Sequence, residues 1–237
     1  MKRVLLAIAV ASCAAGCFGA HMGEHAEAPT PERVTTRDFL IGDQPEAKDY
    51  GLYSYLLFGA PPLPASRELY LRTIAAYLEE IPPTAGFGSQ LQRWQMNITY
   101  LPLTEPPPAQ FTAAAGQIDA AAAADWMLRH YNYVRARLVL RTLPGSYHSG
   151  PYLVSHLKPL SGSAPAAGPF LFQDLSNVQP DLAAVWMREF LVQAGKERFW
   201  EPDAVGQFRL QLRNAIAVAG ATVPGVQAAV EKWIKVL

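Results

Sequence analysis

The order in which apolar segments follow one another restricts the fold of this chain most strongly. Residues 50–58 form an aromatic-rich apolar run between polar and proline-containing stretches, which predicts a buried strand. Residues 66–80 carry apolar side chains at helical spacing and are followed by Pro82, while residues 95–103 predict a second strand. A strand, a helix and a strand in this order indicate a βαβ crossover and therefore a partly parallel sheet.

The second half of the chain continues this alternation. Residues 118–142 predict a helix, although the last third, 137–143, fits a strand equally well. Residues 151–157 and 169–175 predict two strands of a closing hairpin. Three C-terminal helices are predicted at 180–194, 203–219 and 224–236. We therefore expect a mixed α/β fold, with a small, partly parallel sheet of about four strands flanked by helices and a three-helix C-terminal segment.

The N-terminus has the features of an export signal. Two basic residues precede a short apolar run, and small residues lead to Cys17. The run is too short to cross a hydrocarbon core of about 30 Å. Residues 1–17 resemble the signal of bacterial lipoproteins, which implies removal of residues 1–16 and lipidation of Cys17. Cys13 is an alternative acceptor, and ordinary cleavage after Ala20 is a further alternative.

The resemblance also implies a location in the cell envelope. A lipid on Cys17 would anchor the chain in the bilayer and leave it facing the periplasm. Phe18, rather than Asp, follows the cysteine, which by the same resemblance favours the outer membrane over the inner one. No cysteine follows Cys17, so the domain beyond it has no thiol for a disulfide, a nucleophile or a thiolate metal site.

Residues 17–49 predict an acidic tether. They contain seven acidic and three basic residues, a net charge of −4, and show no apolar period before Phe39. A segment of this composition buries too little apolar surface to offset its ordering entropy. We therefore expect one globular domain at 50–237, and we expect residues 18–45 to be dispensable for its folding.

Asp174 is the first candidate for chemistry, because it closes a predicted strand and binding crevices of α/β sheets often lie beyond strand ends. With His148 or His156 it would form the acid–base part of a small hydrolase. The alternative is an Asx turn that leads into the next helix. Ser155 cannot pair with His156 on one strand, because neighbouring residues point to opposite faces.

A helical face and a histidine pair are two further candidates. The face combines aromatic and cationic side chains, which suit a carboxylate, a phosphate or a glycan, or else stack on one another. Its members are Trp126, His130, Tyr133, Arg137 and Arg141. His21 and His25 match the H-x-x-E-H spacing of zinc peptidases. Glycine and prolines close by disfavour the helix that this motif needs, so we predict a plain tether there, with weak metal binding by His21 and His25 as the alternative.

These observations favour binding over catalysis. We expect the partners to be the lipid bilayer, through the anchor, and a protein or envelope polymer. No basic stripe suited to nucleic acid is present, and we expect no cofactor. The alternatives are the small periplasmic hydrolase that uses Asp174 with His148 or His156, and a glycan- or peptidoglycan-binding module that uses tryptophans and tyrosines.

Overall fold

Five strands form one mixed sheet in the computed structural model, which describes residues 33–87, 90–114, 116–162, 165–166, 170–196 and 200. The strands are β1 (Val34–Ile41), β2 (Leu52–Leu57), β3 (Met96–Leu103), β4 (Tyr152–His156) and β5 (Phe170–Asp174). Their order is β1-β3-β2-β4-β5; the first three are parallel, and β4 and β5 form an antiparallel hairpin beside them. The predicted mixed α/β class with a partly parallel sheet is confirmed, with five strands rather than about four.

Four helices accompany the sheet within the described residues. They are α1 (Arg67–Glu80), α2 (Ala120–Arg129), α3 (Tyr133–Arg141) and α4 (Ala183–Gly195). As predicted, α1 connects β2 to the parallel strand β3, which is the βαβ crossover. Of the three predicted C-terminal helices, the first is α4. The other two, at 203–219 and 224–236, lie outside the described residues, as do Cys13, Cys17, His21 and His25.

The two faces of the sheet are covered differently. On one face, α1 packs against α2 and α4, and the ring of its Tyr77 meets Phe39 edge-on at 6.2 Å between centroids. The opposite face carries Tyr55, whose hydroxyl accepts a hydrogen bond from Leu160 N at 2.9 Å and donates one to Glu46 Oε1 at 2.9 Å. Loops from two distant parts of the sequence therefore close this second face.

Strand β1 lies inside the segment predicted as a tether, so that prediction is wrong from Val34 onward. Every residue of β1 has a register partner on β3. Thr36, Arg37 and Leu40 are its buried residues. Because two of these three side chains are polar, no apolar alternation marks the strand in the sequence. The buried guanidinium of Arg37 donates to Ala113 O at 2.6 Å, and burial lowers its pKa.

The residues after β1 also belong to the domain. Glu46 is buried, and its carboxylate accepts hydrogen bonds from the backbone N–H and the hydroxyl of Ser161, besides the one from Tyr55. Burial raises the pKa of Tyr55 well above its usual value, and nearby Glu46 raises it further. Residues 18–45 are therefore not dispensable as a block, because a chain that starts at Gln44 lacks an entire strand of the sheet.

The helix predicted over 118–142 is two helices, and its last third is helical rather than a strand. Tyr131 interrupts it, because its hydroxyl accepts from Phe58 N at 2.9 Å and donates to Leu56 O at 3.2 Å. The break shifts the phase of the second helix. Val134 and Leu138, which in one continuous helix would share the inward face of Met127 and Tyr131, are therefore 62% and 47% exposed.

Candidate functional site

The arginines of α3 lie near the carboxyl edge of the parallel strands. Asn132 caps the N-terminus of α3 by accepting a hydrogen bond from Arg135 N at 2.9 Å. Further along the helix, Arg137 Nη1 donates to Gly59 O, just beyond the end of β2, at 3.3 Å. Arg141 follows one turn later. Open α/β sheets commonly bind ligands in the crevice outside this edge.

The loop 144–150 faces α3 at the same edge, and backbone contacts hold it there. A Cβ atom on Gly59 would lie 2.1 Å from His148 O, so only glycine permits this close approach. His148 N donates to the phenol oxygen of Tyr152 at 3.1 Å. The ring of Tyr147 meets that of Tyr152 edge-on, with the centroids 5.7 Å apart. The main chain on both sides of His148 is thus fixed by the sheet.

A cavity of about 340 Å³ lies between α3 and this loop. We call it the arginine cleft, and it is lined by Arg137, Leu140, Arg141, Gly145, Ser146, Tyr147 and His148. Its volume is at the lower end of the range for small-molecule sites, and it combines apolar walls with convergent polar groups. A second cavity of about 340 Å³ shares Arg141 and is lined also by Leu138, Thr142, Ser161, Gly162 and Pro165.

The arginines of α3 differ from those of the other three helices in their partners. Every arginine on α1, α2 and α4 forms an ion pair: Arg67 and Arg129 with Asp125, Arg72 with Glu68, and Arg188 with Glu80. On α3, Arg135 and Arg137 donate only to the backbone oxygens of Gln44 and Gly59. Arg141 has no hydrogen-bond or ionic partner within the described part of the chain.

The cleft is suited chemically to an anionic group. A guanidinium presents a planar fork of N–H donors that matches a carboxylate or a phosphate in a bidentate manner. Arg137 and Arg141 are one turn apart and line the same cavity, so both can reach one anion. The His148 ring can add a third donor, and Leu140 and Tyr147 supply apolar surface to the lining.

Asp174 lies at the same edge of the sheet, but its carboxylate makes a local turn. Asp174 Oδ1 accepts a hydrogen bond from Ser176 N at 2.8 Å. This contact is the Asx turn that the sequence offers as the alternative to a catalytic role. Asp174 faces Tyr152 across the β4–β5 pair. Burial raises the pKa of Tyr152, the hydrogen bond from His148 N opposes that rise, and the negative charge of Asp174 adds to it. No hydrogen bond joins Asp174 to the His148 ring among the residues described.

His156 is far from Asp174 and from the arginine cleft. It pairs with Phe170 at one end of the hairpin, whereas Asp174 pairs with Tyr152 at the other, a separation of about 13 Å along the strands. The His156 ring is buried, and its Nδ1 lies 2.8 Å from Lys158 O. Ser155 points to the opposite face, toward Ser54, as the strand pattern predicts. The structure therefore does not bring His156 and Asp174 together.

The predicted aromatic and cationic face is divided by the break between α2 and α3. Trp126 and His130 stack on each other with centroids 4.1 Å apart, and His130 Nδ1 lies 2.9 Å from Glu105 Oε1. Tyr133 packs against Tyr131. Only Arg137 and Arg141 of this predicted set line the cleft, and they do so together with His148.

One feature of the sequence marks the cleft, and neither periodicity nor motif spacing reveals it. The 48 residues from 126 to 173 contain no Asp or Glu, although they contain four arginines and one lysine. A stretch of this length without a carboxylate leaves its arginines dependent on partners from elsewhere. The net charge of this segment reveals the excess of cations, whereas the net charge of the whole chain, which is zero, does not.

No helix in the described part of the chain has the length and apolar character needed to cross a bilayer. No group of three or more His, Cys, Asp or Glu side chains in this part of the chain is arranged to hold a metal ion.

No protein-family model, no curated protein and no solved structure matches this chain.

Proposed function

We propose that this chain is a lipid-anchored periplasmic domain that binds an acidic segment of a protein partner in the arginine cleft. One observation carries the proposal: the two cleft arginines have no carboxylate partner among the described residues, whereas all arginines of α1, α2 and α4 do. A protein surface that keeps cationic donors unpaired beside a cavity is preorganised for an anion from outside.

The surroundings of the cleft favour a protein partner over a polymer. Val134 and Leu138 are exposed on α3, and Leu138 lines the cavity that shares Arg141 with the cleft. The buried centre of a protein–protein interface is more apolar than its rim, and arginine is enriched in interfaces. A charged polymer would use the arginines and leave the apolar pair exposed to water.

The two alternative functions have weaker support. A hydrolase needs a base and a carboxylate that act together, and the Asp174 carboxylate is engaged by Ser176 N. A glycan-binding module needs an exposed aromatic platform. Trp94 is the single aromatic residue among the large apolar side chains that are exposed in the described residues.

The anchor at Cys17 is part of the proposal and has its own test. Labelling cells with a palmitate analogue should mark the wild-type chain and the Cys13→Ser variant of the leader, but not Cys17→Ser. Equal labelling of Cys17→Ser and wild type would contradict the anchor, and loss of label only in Cys13→Ser would move it to the other cysteine.

Site-specific photocrosslinking in intact cells tests the binding surface. A photoreactive amino acid at position 138, beside the cleft, should capture a partner, whereas the same amino acid at exposed Leu63 should not. The capture at 138 should fall at least about tenfold in an Arg137→Gln/Arg141→Gln background. An Arg72→Gln background is the matched control, because Arg72 is paired with Glu68. Equal capture in both backgrounds would contradict the proposal.

A further inference from the structure

The point at which the chain enters the domain has an unusual surface. Trp94 is 61% exposed, and it lies in a short 3₁₀ turn (Arg93–Gln95) directly before β3. Arg93 and Lys48 are exposed beside it, and Arg93 Nη1 donates to Lys48 O at 3.3 Å. We call Lys48, Arg93 and Trp94 the entry face. Asp49 is the exposed acidic residue that adjoins it, so the cations outnumber the anion.

The first described residue, Arg33, lies directly against this face. Gly51 shows this, because a Cβ atom there would meet both Trp94 O at 2.0 Å and Arg33 Nε at 2.7 Å. Arg33 follows Cys17 by sixteen residues. Sixteen residues reach at most about 58 Å. A lipid on Cys17 would therefore keep the entry face within that distance of the bilayer.

We infer that the entry face rests on the lipid surface, with the Trp94 indole in the interfacial region and Lys48 and Arg93 against the lipid phosphates. The inference depends on the anchor in the proposed function. Tryptophan favours the interface because its ring is apolar and its N–H is polar. Basic residues near anionic lipids add attraction. Side chains of this kind at the entry point fit a membrane better than a second protein.

The position of the entry face in the fold also determines which way the arginine cleft faces. Trp94 precedes the first residue of β3, whereas the cleft lies beyond the carboxyl ends of β2 and β3. The eight residues of β3 span about 26 Å. With the entry face on the bilayer, the cleft faces away from the membrane and is open to partners in the periplasm.

Chemical coupling tests the contact without requiring lipidation in cells. Cys17 is the sole cysteine of the chain from residue 17 onward, so its thiol can be joined to a maleimide phospholipid in vesicles that contain anionic lipid. The acyl chains of the other lipids carry bromine, which quenches tryptophan only over short distances. The full chain from Cys17 is compared with Trp94→Phe and Trp126→Phe.

The fluorescence component that Trp94→Phe removes should be quenched at least about twofold by brominated lipid, and Trp126→Phe should show a fractional quenching at least as large as that of the wild-type chain. Equal fractional quenching of wild type and Trp94→Phe would overturn the inference. Because the lipid is attached chemically, this result is independent of palmitate labelling in cells. A failed anchor and a failed contact are thus distinguished.

Discussion

The layer of α1, α2 and α4 and the single helix α3 both carry arginines, but the fold uses them differently. In the layer, the carboxylates of Glu68, Glu80 and Asp125 neutralise the four guanidiniums. On α3, two arginines donate to backbone oxygens and Arg141 has no partner in the described part of the chain. The charges of the layer are thus paired within the fold, whereas Arg137 and Arg141 have no carboxylate partner among the described residues.

Loss of a core side chain in the layer should have the largest effect on stability and little effect on the cleft. Trp186 on α4 is 2% exposed. Trp186→Ala should cost about 3–5 kcal/mol of unfolding free energy, because it removes burial and leaves a cavity. Val192→Ala, on the exposed side of the same helix, should stay within about 0.5 kcal/mol of wild type. Urea denaturation measures both, and equal losses would mean that α4 is not packed as described.

Gly59→Ala should have the next largest effect, and it should damage the cleft as well. The new methyl group would meet His148 O at 2.1 Å, so the loop 144–150 must move. We expect a loss of about 2 kcal/mol or more, together with weaker binding of an acidic peptide. Gly86→Ala is the control, because nothing lies within 4 Å of its new Cβ and it needs no positive φ. A Gly59→Ala protein as stable as Gly86→Ala would contradict the close approach.

Neutralising one arginine in each region should change stability by small amounts of different sign. Arg188 Nε and Nη2 both bond to Glu80, at 2.8 and 2.5 Å, and Arg188→Gln should cost about 0.2–1 kcal/mol. Arg141→Gln should cost nothing or stabilise slightly, because it removes an unpaired charge near Arg137. The melting temperatures of the two variants at low and high salt test both expectations. If Arg141→Gln loses as much stability as Arg188→Gln, Arg141 has an internal partner.

Asp174→Asn should have the smallest effect, since the amide oxygen can still accept from Ser176 N. We expect a loss below about 1 kcal/mol and unchanged crosslinking from position 138. A variant of normal stability that lacks cellular function would instead favour the hydrolase alternative, because only the charge has been removed.

The sequence predicts those parts of the fold in which apolar side chains repeat. The runs that become β2 and β3 and the stripe of α1 are of this kind. Strand β1 is missed because two of its buried residues, Thr36 and Arg37, are polar. Thr36 accepts a hydrogen bond from the Thr84 hydroxyl, and Arg37 donates one to Ala113 O. The break between α2 and α3 is missed because it depends on Tyr131 reaching the backbone of Leu56 and Phe58.

The site is harder to predict than the fold, because it depends on which charges meet in space. Arg188 and Glu80 are 108 residues apart, so no local pattern reveals that Arg188 is neutralised. Arg137 and Arg141 belong to a predicted aromatic and cationic face, but that face assumes one continuous helix. His148 is predicted as a base for Asp174, whereas in the structure it lines a cleft together with Arg137 and Arg141.

The most direct test of the difference between the two regions is an NMR titration that observes arginine Nε–Hε resonances while hexaglutamate is added at low salt. The resonances of Arg137 and Arg141 should shift together in a saturable manner, and 0.5 M salt, chosen as roughly ten times a low-salt buffer, should abolish the shift. Those of Arg67, Arg72, Arg129 and Arg188 should remain nearly unchanged, because their carboxylate partners already occupy them. Equal shifts in both groups, or none at Arg137 and Arg141, would contradict an anion site in the cleft.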